Sequence, residues 1–432
     1  MDRVLIYVVS LGCAKNRIDT EHMLGLLANS NAAVTDEPDE ADVIIINTCG
    51  FIGDAKEESI DTILEMSIYD AKLIVTGCLS QRYAGELEDE LPEVDAFLGV
   101  SSYSKIDEAI SAVLSDKKYI CIDRVDEDLV DRVLTTPSHL AYVRIADGCN
   151  NRCSYCAIPQ IRGDLKSRPK ASILKEITDL RDGGVSEVVL IAQDTTKYGS
   201  DFGDPMLPEL IDEAAQIMKD GWLRVLYCYP EGITDEIIDA IKMHDNVCNY
   251  MDIPMQHFSD DVLKRMSRRH TQSSSKKIVR KLHAAGFALR TSLIVGFPGE
   301  TKVDFDIMMK CVQELRFERL GVFRFSSEEG TPAHDMTNQI SQETKVERYQ
   351  KVMALQEGIS QQLCESKIGS IVRVIVDGVD EDTGITIGRT MDQAPQIDGI
   401  TYISTKEALT PGTFVDVKIS KAYEYDLLGE IE

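Results

Sequence analysis

Nine short runs of β-branched and aliphatic residues, each followed by an amphipathic helical pattern, constrain this chain more than any other feature. Parallel neighbours need a crossover long enough to hold a helix, so this rhythm predicts parallel α/β architecture. Three runs, at 4–9, 43–46 and 73–75, predict an α/β domain over residues 1–115. Six more, at 142–145, 187–191, 224–228, 250–253, 290–295 and 322–325, predict an open (β/α)6 partial barrel. This core spans 140–366 and ends on a long helical pattern from 341 to 366. Between the two, residues 116–139 include Lys117, Lys118, Asp126 and Pro137 and read as a linker. The tail, 368–432, has runs at 371–376, 385–388 and 414–419 separated by Gly, Asp and Pro turns. It predicts a small β-barrel of OB type.

Eleven cysteines in a chain of 432 residues point to thiolate chemistry rather than a disulfide framework, because the number is odd and no export signal is seen. The one apolar run near the start follows Asp2 and Arg3 and is too short for a signal-peptide core. No stretch approaches the roughly 20 apolar residues of a bilayer span. A cytoplasmic protein with no membrane partner is expected.

The densest cysteine pattern is Cys149-Asn-Asn-Arg-Cys153-Ser-Tyr-Cys156, directly after the strand at 142–145. A fully ligated cubane cluster takes four cysteines, so three thiolates leave one iron open. An open iron suits S-adenosylmethionine (SAM), whose amino and carboxylate groups can chelate the metal beside an electron source. Structural zinc, the rival reading, takes four protein ligands and paired C-x2-C spacings. Strand-end residues Gln193, Asp194 and the segment from Leu293 through Gly296 to Glu300 are candidate cofactor contacts, although Gly296 and Gly299 are equally turn glycines.

Cys13, Cys49 and Cys78 are far apart in sequence, yet each falls just after one of the first three runs and before a helix. In a parallel sheet those loops share the carboxyl edge, where ligands collect, so the three thiols can converge on a second cluster. Cysteine is also a common small core residue. Cys121, Cys228, Cys248, Cys311 and Cys364 show no shared placement and read as packing residues.

The Cys149/Cys153/Cys156 triplet, with Tyr155 before its last cysteine, resembles the signature of radical SAM enzymes. The segments Ser10-Leu-Gly-Cys13-Ala-Lys-Asn16, Asn47-Thr-Cys49-Gly-Phe-Ile52 and Gly77-Cys78 extend that resemblance to the methylthiotransferase family over nearly the whole chain. The resemblance implies two 4Fe–4S clusters, SAM, and a C-terminal TRAM domain. It implies catalytic and metal-ligating roles for Cys13, Cys49, Cys78, Cys149, Cys153 and Cys156; Tyr155, the signature's aromatic, joins the strand-end candidates Gln193, Asp194 and Gly296 as an expected cofactor contact. One SAM would methylate sulfur carried at the first triplet; a second, cleaved at the other, would yield the radical that removes a hydrogen from the acceptor. Such a scheme needs both triplets to face one cavity.

One branch of that family modifies an isopentenylated adenosine beside a tRNA anticodon; the other modifies the β-carbon of an aspartate in ribosomal small-subunit protein twelve. The second is more similar, through Ala55-Lys-Glu-Glu-Ser59, Gln193-Asp-Thr with Tyr198-Gly199, and Ala394-Pro-Gln-Ile-Asp-Gly399. Ala14 and Gln396 depart from its usual proline and acid. Charge agrees: the chain carries a formal −27, and its tail has twelve Asp or Glu against five Lys or Arg. An acidic module attracts a basic ribosomal protein more readily than RNA. A reductant such as flavodoxin or ferredoxin is the other expected partner. A cluster scaffold or electron-transfer protein remains the alternative of another class. The basic group Lys264, Arg265, Arg268, Arg269 and His270 reads as a solvated helix face.

Overall fold

The computed structural model describes residues 3–124 and 132–432, which form two compact units. The first comprises Met1–Thr135, Asp147–Leu165 and Ser326–His334; the second comprises Thr136–Ala146, Lys166–Phe325 and Asp335–Glu432.

In the first unit an all-parallel six-stranded sheet runs in the order Ala32–Val34, Val4–Ser10, Val43–Thr48, Lys72–Gly77, Ala96–Leu98, Tyr119–Cys121. Its central strand, Val43–Thr48, is buried along its whole length, as a Val-Ile-Ile-Ile run covered on both faces should be. Ile6, Val43, Ile45 and Ile74 pack on one face with Met23, Leu27, Ile106 and Ile110. Ile44, Ile46, Leu73 and Val75 pack on the other with Ile63, Leu79 and Leu87. Each such side chain stabilises the sheet by about 1.5–3 kcal/mol through burial alone. The stretch expected as a linker contributes the edge strand Tyr119–Cys121. At three residues that strand is too short for its alternation to stand out, and Asp126 of the same stretch lies outside the described residues.

The second unit holds six parallel strands in chain order: Leu140–Arg144, Glu187–Ile191 and Trp222–Val225, then Tyr250–Asp252, Ala288–Val295 and Arg319–Arg324. The two halves are joined by the Cys228 N–H donating to Asp252 O at 2.8 Å, which makes them one curved, open (β/α)6 arrangement. The long helix is Gln342–Glu365. The tail closes into a five-stranded barrel in the order Ile371–Val379, Thr386–Thr390, Thr401–Ser404, Leu427–Ile431, Phe414–Ala422.

This small barrel is fastened to the larger one by buried charge. Arg389 donates to Glu187 at 2.6 Å and to Asp377 at 2.8 Å, Arg224 donates to Glu187 at 2.8 Å, and His139 pairs with Asp377 at 2.8 Å. Burial alone would raise the Glu187 carboxyl, but Arg389 and Arg224 outweigh it and hold it below the usual value. The Trp222 ring meets Phe414 at 5.0 Å between centroids beside this network. Among the described residues no helix is long and apolar enough to cross a membrane.

Candidate active site

The first unit contains both cysteine triplets. Cys13 caps the start of helix Ala14–Ala28, Cys49 directly follows strand Val43–Thr48, and Cys78 opens helix Cys78–Glu90 after strand Lys72–Gly77. The three strands are adjacent, so the three thiols stand at one carboxyl edge. Asn16, fully buried, laces these strand ends together: its side-chain amide donates to Thr48 O at 2.9 Å, and its backbone carbonyl accepts from Asn47 Nδ2 at 2.7 Å. Ser59 fixes the Cys49 backbone by accepting from its N–H at 3.0 Å and donating to its carbonyl at 2.9 Å.

Each of these cysteines has a glycine neighbour, and the crowding shows why. A Cβ on Gly12 would lie 2.9 Å from Cys49 Cβ, and one on Gly50 would lie 2.7 Å from the Leu79 backbone nitrogen. Gly77, at φ +98°, would bring a Cβ to 2.4 Å from Asn47 Oδ1. Small residues thus let the loops approach closely enough to group the thiols. Burial raises the Cys49 thiol and pushes Cys78 up to about 12, the guanidinium of Arg162 opposing it in both cases.

The Cys149–Cys156 loop is built locally. Gly148 at φ +73° and Arg152 at φ +53° make its turns. A Cβ on Gly148 would fall 2.1 Å from Asp164 O. Cys149 N–H donates to Gly163 O at 3.0 Å and Cys156 N–H to Cys153 O at 3.0 Å. The Asn151 N–H points at Cys149 Sγ, 3.5 Å away, and Arg152 pairs with Asp164. Helix Ile158–Ile161 follows, and its Ile161, with Ala157, packs against Cys78. Cys78 of one triplet thus shares an apolar cluster with the residues that follow Cys156 of the other.

Among the described residues no three His, Cys, Asp or Glu converge on a single ion. A cubane cluster makes no such demand, because each thiolate binds a different iron. Three thiols on one crowded edge, with glycine beside each, fit such a group. Three on one turn with an amide aimed at sulfur also fit.

Sequence reading missed the charges between these sites. Arg162 donates to Asp19 at 2.6 Å, to Asp147 at 2.9 Å and to Asn16 Oδ1 at 3.0 Å. Glu328, from Ser326–His334, pairs with Arg82 at 3.1 Å and Lys56 at 3.0 Å. A charged residue six positions past Cys156 was the available signal for Arg162; nothing local marked Glu328.

Of the other expected contacts, Tyr155 lies in the first unit, whereas Gln193, Asp194 and Gly296 lie in the second. The Asp194 carboxylate caps the turn at Thr195–Lys197, accepting from Thr196 N at 3.1 Å and Thr196 Oγ1 at 2.6 Å. Gly296, at φ +73°, donates its N–H to Glu300 at 2.5 Å. The basic group is not a solvated face throughout. Arg268 and His270 are buried, the former over the Tyr229 ring at 3.9 Å and the latter on Glu231 at 3.0 Å. Cys228 and Cys248 are buried, and desolvation pushes each thiol up to about 12, as inert packing residues should be.

The fold is shared with a radical SAM methyltransferase, TsrM from Kitasatospora setae, at a TM-score of 0.56 and 13% identity over 83% of this chain and 89% of that one. The sequence model of the radical SAM superfamily matches residues 143–312. Fold and match together define a radical SAM protein, and that membership implies a 4Fe–4S cluster and SAM. The model of the uncharacterized protein family UPF0004 matches 5–99, and that of the TRAM domain matches 368–431.

Relatives named ribosomal protein uS12 methylthiotransferase RimO match from end to end. Those of Lachnoclostridium phytofermentans and Clostridium botulinum (strain Loch Maree) are each 47% identical, over 99% and 100% of this chain and 100% and 99% of their own. That of Desulforamulus reducens is 46% identical over 99% of both. The chain belongs to the RimO family.

Proposed function

We propose that this chain is a radical SAM methylthiotransferase that adds a methylthio group to the β-carbon of an aspartate in ribosomal protein uS12. The observation that carries this reading is the sharing of one compact unit by both triplets, with Cys78 packed against the residues that follow Cys156. A reaction that joins a carbon radical to a sulfur donor needs its two centres within reach of one substrate.

In this reading residues 1–115 carry a sulfur-bearing cluster on Cys13, Cys49 and Cys78. The edge strand Tyr119–Cys121 completes the sheet of that part, residues 140–366 hold the SAM-cleaving cluster on Cys149, Cys153 and Cys156, and 368–432 form a docking module. When bound, these groups supply one-electron cleavage of SAM and a carried sulfur. An unactivated β-carbon is far too weak an acid for a general base, which is why the reaction calls on radical chemistry. The chain supplies thiolate ligands, turns that fix their spacing, and apolar cover from Phe51, Val100, Ala157 and Ile161 that excludes water. Tyr155, Gln193, Asp194 and Gly296 are assigned to the SAM side. The acidic tail, formally −7 over 368–432, steers a basic protein acceptor. A flavodoxin or ferredoxin is assigned as electron donor, and the setting is the cytoplasm.

Anaerobic incubation of reconstituted enzyme with uS12, sulfide, reductant and SAM, beside a tRNA control, tests the assignment by mass spectrometry. A methylthio mass gain on an aspartate is expected. Methylthioadenosine in the tRNA with unmodified protein would move the chain to the other acceptor, and no SAM consumption would make it a scaffold.

A further inference from the structure

Arg162 occupies an unusual position: its side chain is 2% exposed, yet it carries charge into the seam between the two cysteine sets. Burying an ion pair stabilises a fold little on balance, because desolvation offsets the Coulomb gain. Its place therefore calls for a role beyond holding helices together. Three fixed partners aim the guanidinium: Asp19 from helix Ala14–Ala28, Asp147 just before the Cys149 loop, and Asn16 Oδ1.

Asn16 Oδ1 is the link to sulfur. It accepts from Arg162 at 3.0 Å and from the Cys78 thiol at 3.4 Å. Guanidinium and thiol are thus second neighbours through one oxygen, and Ile161, adjacent in sequence, packs on Cys78. Of the two carboxylates, Asp19 is 4% exposed and Asp147 is 27% exposed. Solvent screens Asp147 more than it screens the arginine, so positive potential survives on the thiol side. Burial opposes the charge on Arg162, but Asp147, Asp19 and then Cys78 outweigh it and keep the guanidinium charged.

We propose that Arg162 is a positioning residue for the Cys13/Cys49/Cys78 site: its fixed positive charge offsets the negative charge of a thiolate-bound cluster there and raises that cluster's reduction potential. This rests on the reading that those three cysteines hold a cluster. Net charge and hydrogen bonding near the sulfurs are among the protein's means of setting such potentials. The same residue ties that site to the Cys149 loop through Asp147, so one side chain fixes both the charge and the register of the two triplets.

The test uses the full-length chain with Cys149, Cys153 and Cys156 all replaced by Ala, reconstituted anaerobically with iron and sulfide. A redox titration of the remaining cluster is followed by electron paramagnetic resonance. Arg162→Gln, which loses the charge, is expected to lower the equilibrium constant for one-electron reduction at least tenfold, about 59 mV. Asp147→Asn, which retains the arginine and removes a neighbouring negative charge, is expected to raise it. Arg162→Lys is expected to stay within about threefold of the parent. Should Arg162→Gln fail to assemble a cluster, the opposite shift in Asp147→Asn and the unchanged Arg162→Lys decide the matter. A potential indifferent to Arg162→Gln and Asp147→Asn alike, or one in which Arg162→Lys behaves as Arg162→Gln, overturns the inference alone. No iron signal in the parent triple variant overturns the cluster assignment on which it stands.

Discussion

The two cysteine triplets solve one problem in opposite ways. Cys149, Cys153 and Cys156 sit on a single loop whose shape is fixed by Gly148, Arg152 and backbone bonds that reach no further than Gly163. Cys13, Cys49 and Cys78 come from three loops, and only the register of three adjacent strands brings them together. The first site is a property of a peptide segment, the second a property of a sheet. A local site survives changes elsewhere, whereas a distributed one senses every change in the packing that sets its strand ends.

The sharpest way to break the comparison is to remove one thiol from each set. Cys153→Ala is expected to abolish SAM cleavage and methylthio transfer together. Cys78→Ala is expected to abolish transfer while 5′-deoxyadenosine still forms, as read by chromatography and mass spectrometry. Loss of SAM cleavage in Cys78→Ala would mean that the two sites are not separable.

A control comes from the second unit. Arg389→Met leaves Glu187, 0% exposed, with one guanidinium fewer, and is expected to cost about 3–5 kcal/mol in denaturant unfolding. Iron content should be unchanged, because none of the network's members belongs to the unit that carries the cysteines.

Next comes a change confined to the sheet edge. Gly50→Ala sets a Cβ 2.7 Å from the Leu79 nitrogen and should destabilise the first unit by about 1–3 kcal/mol. Its iron loss is expected at the Cys13/Cys49/Cys78 site only, measured as iron per chain in the background lacking the other triplet. Equal loss at both sites would erase the distinction between local and distributed.

The smallest effect is a pH dependence. Burial tends to raise the carboxyls of Glu187 and Asp377, but Arg389 with Arg224, and His139 with Arg389, outweigh it and hold them below their ordinary 4.5 and 3.8. A lowered carboxyl contributes stability that is present above its unfolded value and is lost as pH falls through the folded one. The melting-temperature gap between parent and Arg389→Met should thus be full near neutrality and narrow below the ordinary carboxylate range. A gap that widens on acidification would contradict this.

Strand-to-helix rhythm made the larger architecture readable. All nine runs are strands, from Val4–Ser10 to Arg319–Arg324, each an apolar run with a helical pattern behind it. Ala32–Val34, Ala96–Leu98 and Tyr119–Cys121 escaped notice, since three residues carry no periodicity; Tyr250–Asp252, equally short, was legible only from its place in the strand-to-helix rhythm. Thr401–Ser404 and Leu427–Ile431 are short strands of a closed barrel, identified by their neighbours rather than by their own composition. The cysteines stood out by spacing or by placement after strands. Arg162 did not, because an arginine's meaning depends on Asp19, 143 residues away. The inward turn of Arg268 and His270 was hidden likewise, their partners Tyr229 and Glu231 lying in another loop.

The first unit is assembled from three separate lengths of chain, the last being Ser326–His334. Arg82, whose side chain is 3% exposed, pairs with the carboxylate of Glu328, 246 positions later. During synthesis, which proceeds from the N-terminus, the six-stranded sheet can form long before that carboxylate leaves the ribosome, but it must do so with a cation lacking its counterion. Loop closure over such a span is slow. Completion of the cysteine-bearing unit therefore waits until Ser326–His334 has been made, and a chain halted at residue 325 would present all six thiols in a scaffold whose final fastening has yet to be made.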